Sequence, residues 1–200
     1  MNDADAVRQA IAAGVDCCGE NRVQELTAKA AENAYEGAPV HFIGHLQTNK
    51  VKQVVGKVDL IQSIGSQRLL GAVNTEAAKQ GIVQDVLLEI NIGDESSKTG
   101  FAFEEIDDIL QKMSEYGNVR MRGLMCIPPV CENPTDSSKF FQKIYQLYVD
   151  ITRKKYDNVS VDVLSMGMSG DFRQAIACGS TMIRIGTAIF GARDYAKPHQ

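Results

Sequence analysis

An α/β barrel, with a parallel sheet inside and helices outside, is the fold class this sequence predicts. Three observations lead there. Short apolar runs alternate strictly with helix-period segments along the chain. Runs such as Val86-Leu87-Leu88-Glu89-Ile90 are apolar nearly throughout, as strands covered on both faces must be. The units are short and closely joined, and no Gly-x-Gly-x-x-Gly turn follows the first strand, so a compact barrel fits better than an open doubly wound sheet.

Taken in order, the chain opens on a helix over residues 3–13, where Val7, Ala10 and Ile11 share one face. Strands are predicted over 16–19, 40–44, 60–64, 86–92, 121–127, 161–166 and 182–190. Helices over 21–32, 48–55, 66–79, 103–116, 137–154 and 171–178 follow them. Ser66 ahead of Arg68-Leu69-Leu70, and Ser169 or Asp171 ahead of Ala175-Ile176-Ala177, supply N-caps. A closed (β/α)8 barrel has eight strands. With no strand ahead of the opening helix, the first stave is expected to be missing from this chain.

The 200 residues suit one domain spanning 1–200, with 44% hydrophobic and 23% charged residues, both ordinary globular values. A formal charge of −4 argues against nucleic-acid and anionic-membrane surfaces. The one basic run, Arg153-Lys154-Lys155, falls where a long helix ends and complements its dipole. No apolar run is long enough to span a bilayer, and the acidic first residues do not lead into a signal-peptide core. Five cysteines, an odd count with Cys17 and Cys18 adjacent, predict reduced thiols and a cytoplasmic protein.

Candidate functional residues fall at the C-terminal ends of strands, where barrel enzymes assemble their sites. Ser165-Met166-Gly167-Met168-Ser169-Gly170-Asp171 and Arg184-Ile185-Gly186-Thr187 each end an apolar strand in small or hydroxylated residues. Small residues let backbone N–H groups approach an anion, and hydroxyls add donors, so a phosphorylated ligand is the first inference. Arg184, flanked by Ile183 and Ile185, enters either the barrel or the helix layer. There it meets a ligand, or it forms a structural ion pair with Glu89 or another inward acid. Ser165 and Ser169 are either anion donors or helix caps, and Asn21 is either a site residue or an N-cap. His41 and His45 share a strand face if both are extended, but a third metal ligand is missing, so packed or hydrogen-bonded histidines are expected. Lys50, Lys52 and Lys98 read as solvated, and the sulfurs of Met166 and Met168 as core filling. Nothing in three histidines supports a nucleophilic triad.

Together Gly19-Glu20-Asn21-Arg22-Val23-Gln24-Glu25, His41-Phe42-Ile43-Gly44-His45-Leu46-Gln47-Thr48-Asn49-Lys50, Gly123-Leu124-Met125, Ser165-Met166-Gly167-Met168-Ser169 and Arg184-Ile185-Gly186-Thr187-Ala188-Ile189-Phe190-Gly191 give the chain a recognisable pattern. It resembles, over essentially its whole length, the pyridoxal phosphate homeostasis protein family, single-domain relatives of the alanine racemase barrel. That resemblance implies a TIM-type (β/α)8 barrel of PLP fold type III and pyridoxal 5'-phosphate (PLP) as cofactor. It implies that Ser165, Ser169, Gly186 and Thr187 hold the phosphate, that Asn21 and Met125 lie near the ring, and that Arg184 faces the pyridine nitrogen. Val40 departs slightly, standing where the family has an aromatic residue. The larger departure is at the front. Family members carry their Schiff-base lysine on the first barrel strand, in a motif of the Ala-Val-Ser-Lys type, and no residue here matches it.

The resemblance implies a protein that stores or delivers PLP without substrate turnover, with PLP-requiring apo-enzymes as recipients and a monomeric state. The alternative is a PLP-dependent amino-acid racemase-like enzyme, which needs a positioned base opposite the lysine. A truncated product would bind PLP weakly and noncovalently, with adventitious imine formation at Lys98.

Overall fold

Seven parallel strands lie side by side in chain order in the computed structural model, which describes residues 3–93, 99–131 and 134–191. They are β1 (Cys18–Glu20), β2 (Val40–Phe42), β3 (Leu60–Ile64), β4 (Gln84–Ile90), β5 (Val119–Cys126), β6 (Val159–Met168) and β7 (Met182–Arg184). Helix α1 (Ala4–Ala12) precedes β1. After the strands come α2 (Val23–Ala31), α3 (Gln67–Gln80), α4 (Ile106–Gln111), α5 (Ser138–Thr152), α6 (Phe172–Ala177) and α7 (Thr187–Phe190). Each strand pairs in parallel with its sequence neighbour, so the sheet curls into a nearly closed barrel whose edges, among the described residues, are β1 and β7. Side chains of β3 and β7 meet across the interior, Gln62 Nε2 lying 3.1 Å from Met182 Sδ.

Local chemistry explains the elements. Ser66 Oγ accepts from Leu69 N at 3.2 Å to start α3, and Gly81, at φ +66°, ends it. Between those caps Leu69, Leu70, Val73 and Ala77 form the buried stripe. In α5, Phe141, Ile144 and Ile151 do the same, each contributing about 2 kcal/mol of apolar burial. The large core fills the space between sheet and helices. A smaller one, Leu60, Leu87 and Met125 with Ile127 and Val163 against it, fills the barrel itself.

The base of the barrel is closed by charge. Asp85 accepts from Arg120 at 2.7 and 2.9 Å and from Arg122 Nη1 at 2.8 Å, and Arg122 also pairs with Asp162. Above it, Gly123 has φ +148°, and a Cβ there would stand 1.7 Å from the Val163 carbonyl oxygen. Only glycine lets β5 and β6 approach at that point.

Several expectations need correction. The strand predicted over 182–190 stops at Arg184, because the apolar run Ala188-Ile189-Phe190 winds into α7. Residues 48–53 form a 3-10 turn rather than an α-helix, which suits the β-branched Val51 and a Gln47 with no capping bond. The 103–116 helix is interrupted, with 3-10 turns on both sides of α4. His45 lies beyond the end of β2 and is exposed while His41 is buried, so the two do not share a strand face. Among the described residues no group of three ligating side chains could hold a metal. The basic run at Arg153 and Lys154 does follow the end of α5, with Arg153 as its C-cap.

Candidate functional site

Register places the site. Glu89 on β4 is opposite Met125 on β5, Met125 is opposite Ser165 on β6, and Ser165 is opposite Met182 on β7. Met125 and Ser165 are fully buried. They lie beneath the C-terminal rim where Arg184 ends β7.

Arg184 enters the barrel. Its Nη1 donates to Ser165 Oγ at 2.6 Å, and its Nη2 donates to the Cys126 carbonyl at 2.9 Å. Among the described residues no carboxylate reaches ion-pair distance of this guanidinium, so the ion pair with Glu89 weighed from sequence is not formed. Burial lowers the Arg184 pKa, opposed by the fields of Cys126, Asp171 and Glu89. Glu89 is close enough to feel Arg184 but remains a separate, half-buried carboxyl. Burial raises its pKa, and Thr99, His45 and Arg184 pull it back only in part. Thr99 Oγ1 donates to its carboxylate at 3.3 Å.

A second cluster sits on the turn after β7. Ser169 Oγ accepts from Gly186 N at 3.2 Å and from Ala188 N at 3.3 Å. Ser169 thus caps α7 from the preceding loop rather than α6, whose N-cap position is held by Asp171. Asp171 Oδ1 accepts instead from Met168 N at 2.7 Å, tightening that loop. Gly186, Thr187 and Ala188 are exposed, so two backbone N–H groups and two hydroxyls gather on one accessible turn.

The seven residues singled out from sequence fall into groups. Arg184 and Ser165 touch, and Ser169 touches Gly186, with Thr187 next in chain. Ser165 is therefore set with Arg184 in the interior rather than with Ser169 on the rim. Met125 forms part of the barrel floor. Asn21 follows β1, its carbonyl packed so close to Gly44 that a Cβ there would stand 2.0 Å from it. It is not the N-cap of α2, since Arg22 holds that position.

Sequence reasoning missed three participants. Ala188 and Cys126 act through backbone atoms, which leave no mark in residue identity. Gln62, 1% exposed, accepts from Ser165 Oγ at 2.7 Å. Its signal was available, since an amide in step with Leu60 and Ile64 on an apolar strand must find partners inside.

Comparison with known proteins follows the same lines. The model of the alanine racemase N-terminal domain matches residues 2–194. A pyridoxal phosphate homeostasis protein of Aquifex aeolicus is 43% identical over 191 residues, covering 96% of this chain and 83% of that protein. The one from Escherichia coli K12 is 40% identical over 197 residues, covering 97% and 83%. PipY of Synechococcus elongatus, solved without PLP, superposes with a TM-score of 0.88 at 32% identity over 95% of this chain and 88% of its own. The same protein with PLP bound gives 0.85. The chain belongs to the alanine racemase N-terminal domain family and, within it, to the pyridoxal phosphate homeostasis proteins.

Proposed function

We propose that this chain binds pyridoxal 5'-phosphate at the C-terminal rim of its barrel and serves PLP homeostasis by holding and releasing the cofactor, with no substrate turnover of its own. One observation carries the reading. A half-buried guanidinium meeting only neutral acceptors and a cluster of exposed backbone and hydroxyl donors lie on the same short turn, Arg184 to Ala188. The donor set fits a phosphorylated aromatic ligand. Ser169 and Thr187 would hold the phosphate together with the Gly186 N–H, which would turn to it from Ser169 Oγ, and Ser165 would serve from beneath by fixing Arg184. Arg184 would face the pyridine nitrogen, with Asn21 and Met125 near the ring.

PLP supplies an electron-accepting ring carrying a reactive aldehyde. Arg184 has only N–H groups to offer, so it suits a ring nitrogen that keeps its lone pair, and it opposes protonation there. That weakens the ring as an electron sink while leaving tight holding intact. Relatives named for PLP homeostasis, and PipY solved with PLP, support the assignment.

A base for racemisation finds little support. Burial pushes the Cys126 thiol up to about 12, and its side chain packs in the helix-facing core rather than the barrel mouth. We further propose a single domain over residues 1–200 that works as a cytoplasmic monomer and passes PLP to apo-enzymes. Among the described residues no helix is long and apolar enough to cross a membrane. Lys98, the suggested site of adventitious imine formation, lies outside the described residues.

The test is a titration of the full chain with PLP, followed by absorbance, with pyridoxal as comparator. Saturable one-to-one binding that favours PLP by about tenfold or more supports the reading. Absence of saturable binding overturns it. Amino-acid racemisation well above the rate with free PLP overturns the non-catalytic part.

A further inference from the structure

The contact between Arg184 and Ser165 continues across the barrel. Ser165 Oγ donates to Gln62 Oε1 at 2.7 Å, and Gln62 Nε2 lies 3.0 Å from His41 Nδ1 and 3.1 Å from Met182 Sδ. Five side chains from β7, β6, β3 and β2 thus form one hydrogen-bonded network through the interior. Gln62 and Ser165 are buried, so these groups depend on one another for partners.

Atom types fix the direction of every bond in it. A thioether sulfur only accepts, so an N–H of Gln62 faces Met182 and the amide oxygen faces Ser165. The second N–H of Gln62 meets His41 Nδ1, which must then accept, leaving the ring proton on Nε2. Burial keeps His41 neutral by lowering its pKa, with Asp59 opposing and Arg122 reinforcing, and Cys17 Sγ sits 3.7 Å from the same Nδ1. Both donors and the acceptor of Gln62 are then in use. Ser165 has one proton, which Gln62 takes, so a lone pair is left for Arg184. With the amide reversed, the Ser165 proton would lose its acceptor, because Arg184 only donates, and the amide oxygen would confront the lone pairs of the Met182 sulfur.

We infer that Gln62 is a positioning residue for Arg184: its amide fixes the direction of the Ser165 hydroxyl and so the seat of the guanidinium in the barrel mouth. The inference rests on the reading of Arg184 as the partner of the PLP ring. Gln62 acts through Ser165, which it holds beneath Arg184.

Two measurements on the full chain test this. In the first, the His41 tautomer is read from side-chain 15N shifts without PLP. The Nε2–H form is expected in the wild type. Gln62→Glu, which offers only acceptors, should move the proton to Nδ1 or charge the ring. In the second, PLP is titrated and its bound absorbance recorded. Gln62→Leu should weaken PLP about tenfold and shift the bound spectrum as Arg184→Lys does. Gln62→Glu, which still accepts from Ser165, should stay within about threefold of wild type. Circular dichroism establishes that each variant is folded, and the Gln62→Glu tautomer decides the matter should Gln62→Leu fail to fold. An Nδ1–H tautomer in the wild type, or equal affinity and spectrum in Gln62→Leu, overturns the inference. A wild-type chain that fails to bind PLP overturns the proposed function instead.

Discussion

Arg184 and Ser165 are joined by a hydrogen bond of 2.6 Å inside the barrel, with the serine fully buried and the arginine half-buried above it. A charge in that position is stable only while its acceptors stay in place. The two residues are 19 apart in sequence and come from neighbouring strands, so the pair ties the ends of β6 and β7 to one another.

Ser165→Ala removes that acceptor and strands the buried Gln62 carbonyl oxygen as well. Urea unfolding is expected to show a loss of about 1–3 kcal/mol, with weaker PLP binding in the same variant.

Ser169→Ala acts differently, because its hydroxyl caps the exposed amides of Gly186 and Ala188. Loss of a cap costs about 1 kcal/mol of local stability. Affinity for PLP should fall while affinity for pyridoxal, which lacks the phosphate, stays nearly constant in parallel titrations.

Asp85→Asn tests the charged base of the barrel. Burial alone would raise the Asp85 pKa, but hydrogen bonds and charge from Arg120 and Arg122 overcome it and hold the carboxyl below its ordinary value. A depressed folded pKa means that the stability is present above the unfolded value and is lost as pH falls through the folded one. Wild type should therefore exceed the variant at neutral pH by about 1–2 kcal/mol, discounted because Arg120 is half exposed. The gap should close in acid, as followed by urea midpoints across a pH series.

Gly123→Ala places a Cβ against the Val163 carbonyl in a backbone conformation that L side chains rarely adopt. A loss of about 3 kcal/mol or more is expected, seen as a large fall in Tm or as insoluble expression.

Much of this architecture was legible in the sequence because barrel strands are apolar on both faces and their spacing is regular. The apolar runs correspond to the seven strands described, and Ser66 caps α3 as its sequence context predicts. The end of β7 was not legible, because Ala188-Ile189-Phe190 is equally apolar as strand or helix and only the Ser169 bonds to Gly186 and Ala188 decide between them. The pairing of Arg184 with a neutral serine rather than with Glu89 was equally hidden. Strand order shows which residues can face inward, but not which inward neighbours touch. Gln62 carries no rim signature, because it lies in the middle of β3 rather than at a strand's C-terminal end.

A crystal structure of the full chain soaked with PLP bears most directly on the central claim. The phosphate is expected against Ser169, Gly186 and Thr187, with the ring nitrogen at Arg184. PLP bound elsewhere on the molecule, or a phosphate turned away from the turn between β7 and α7, would contradict it.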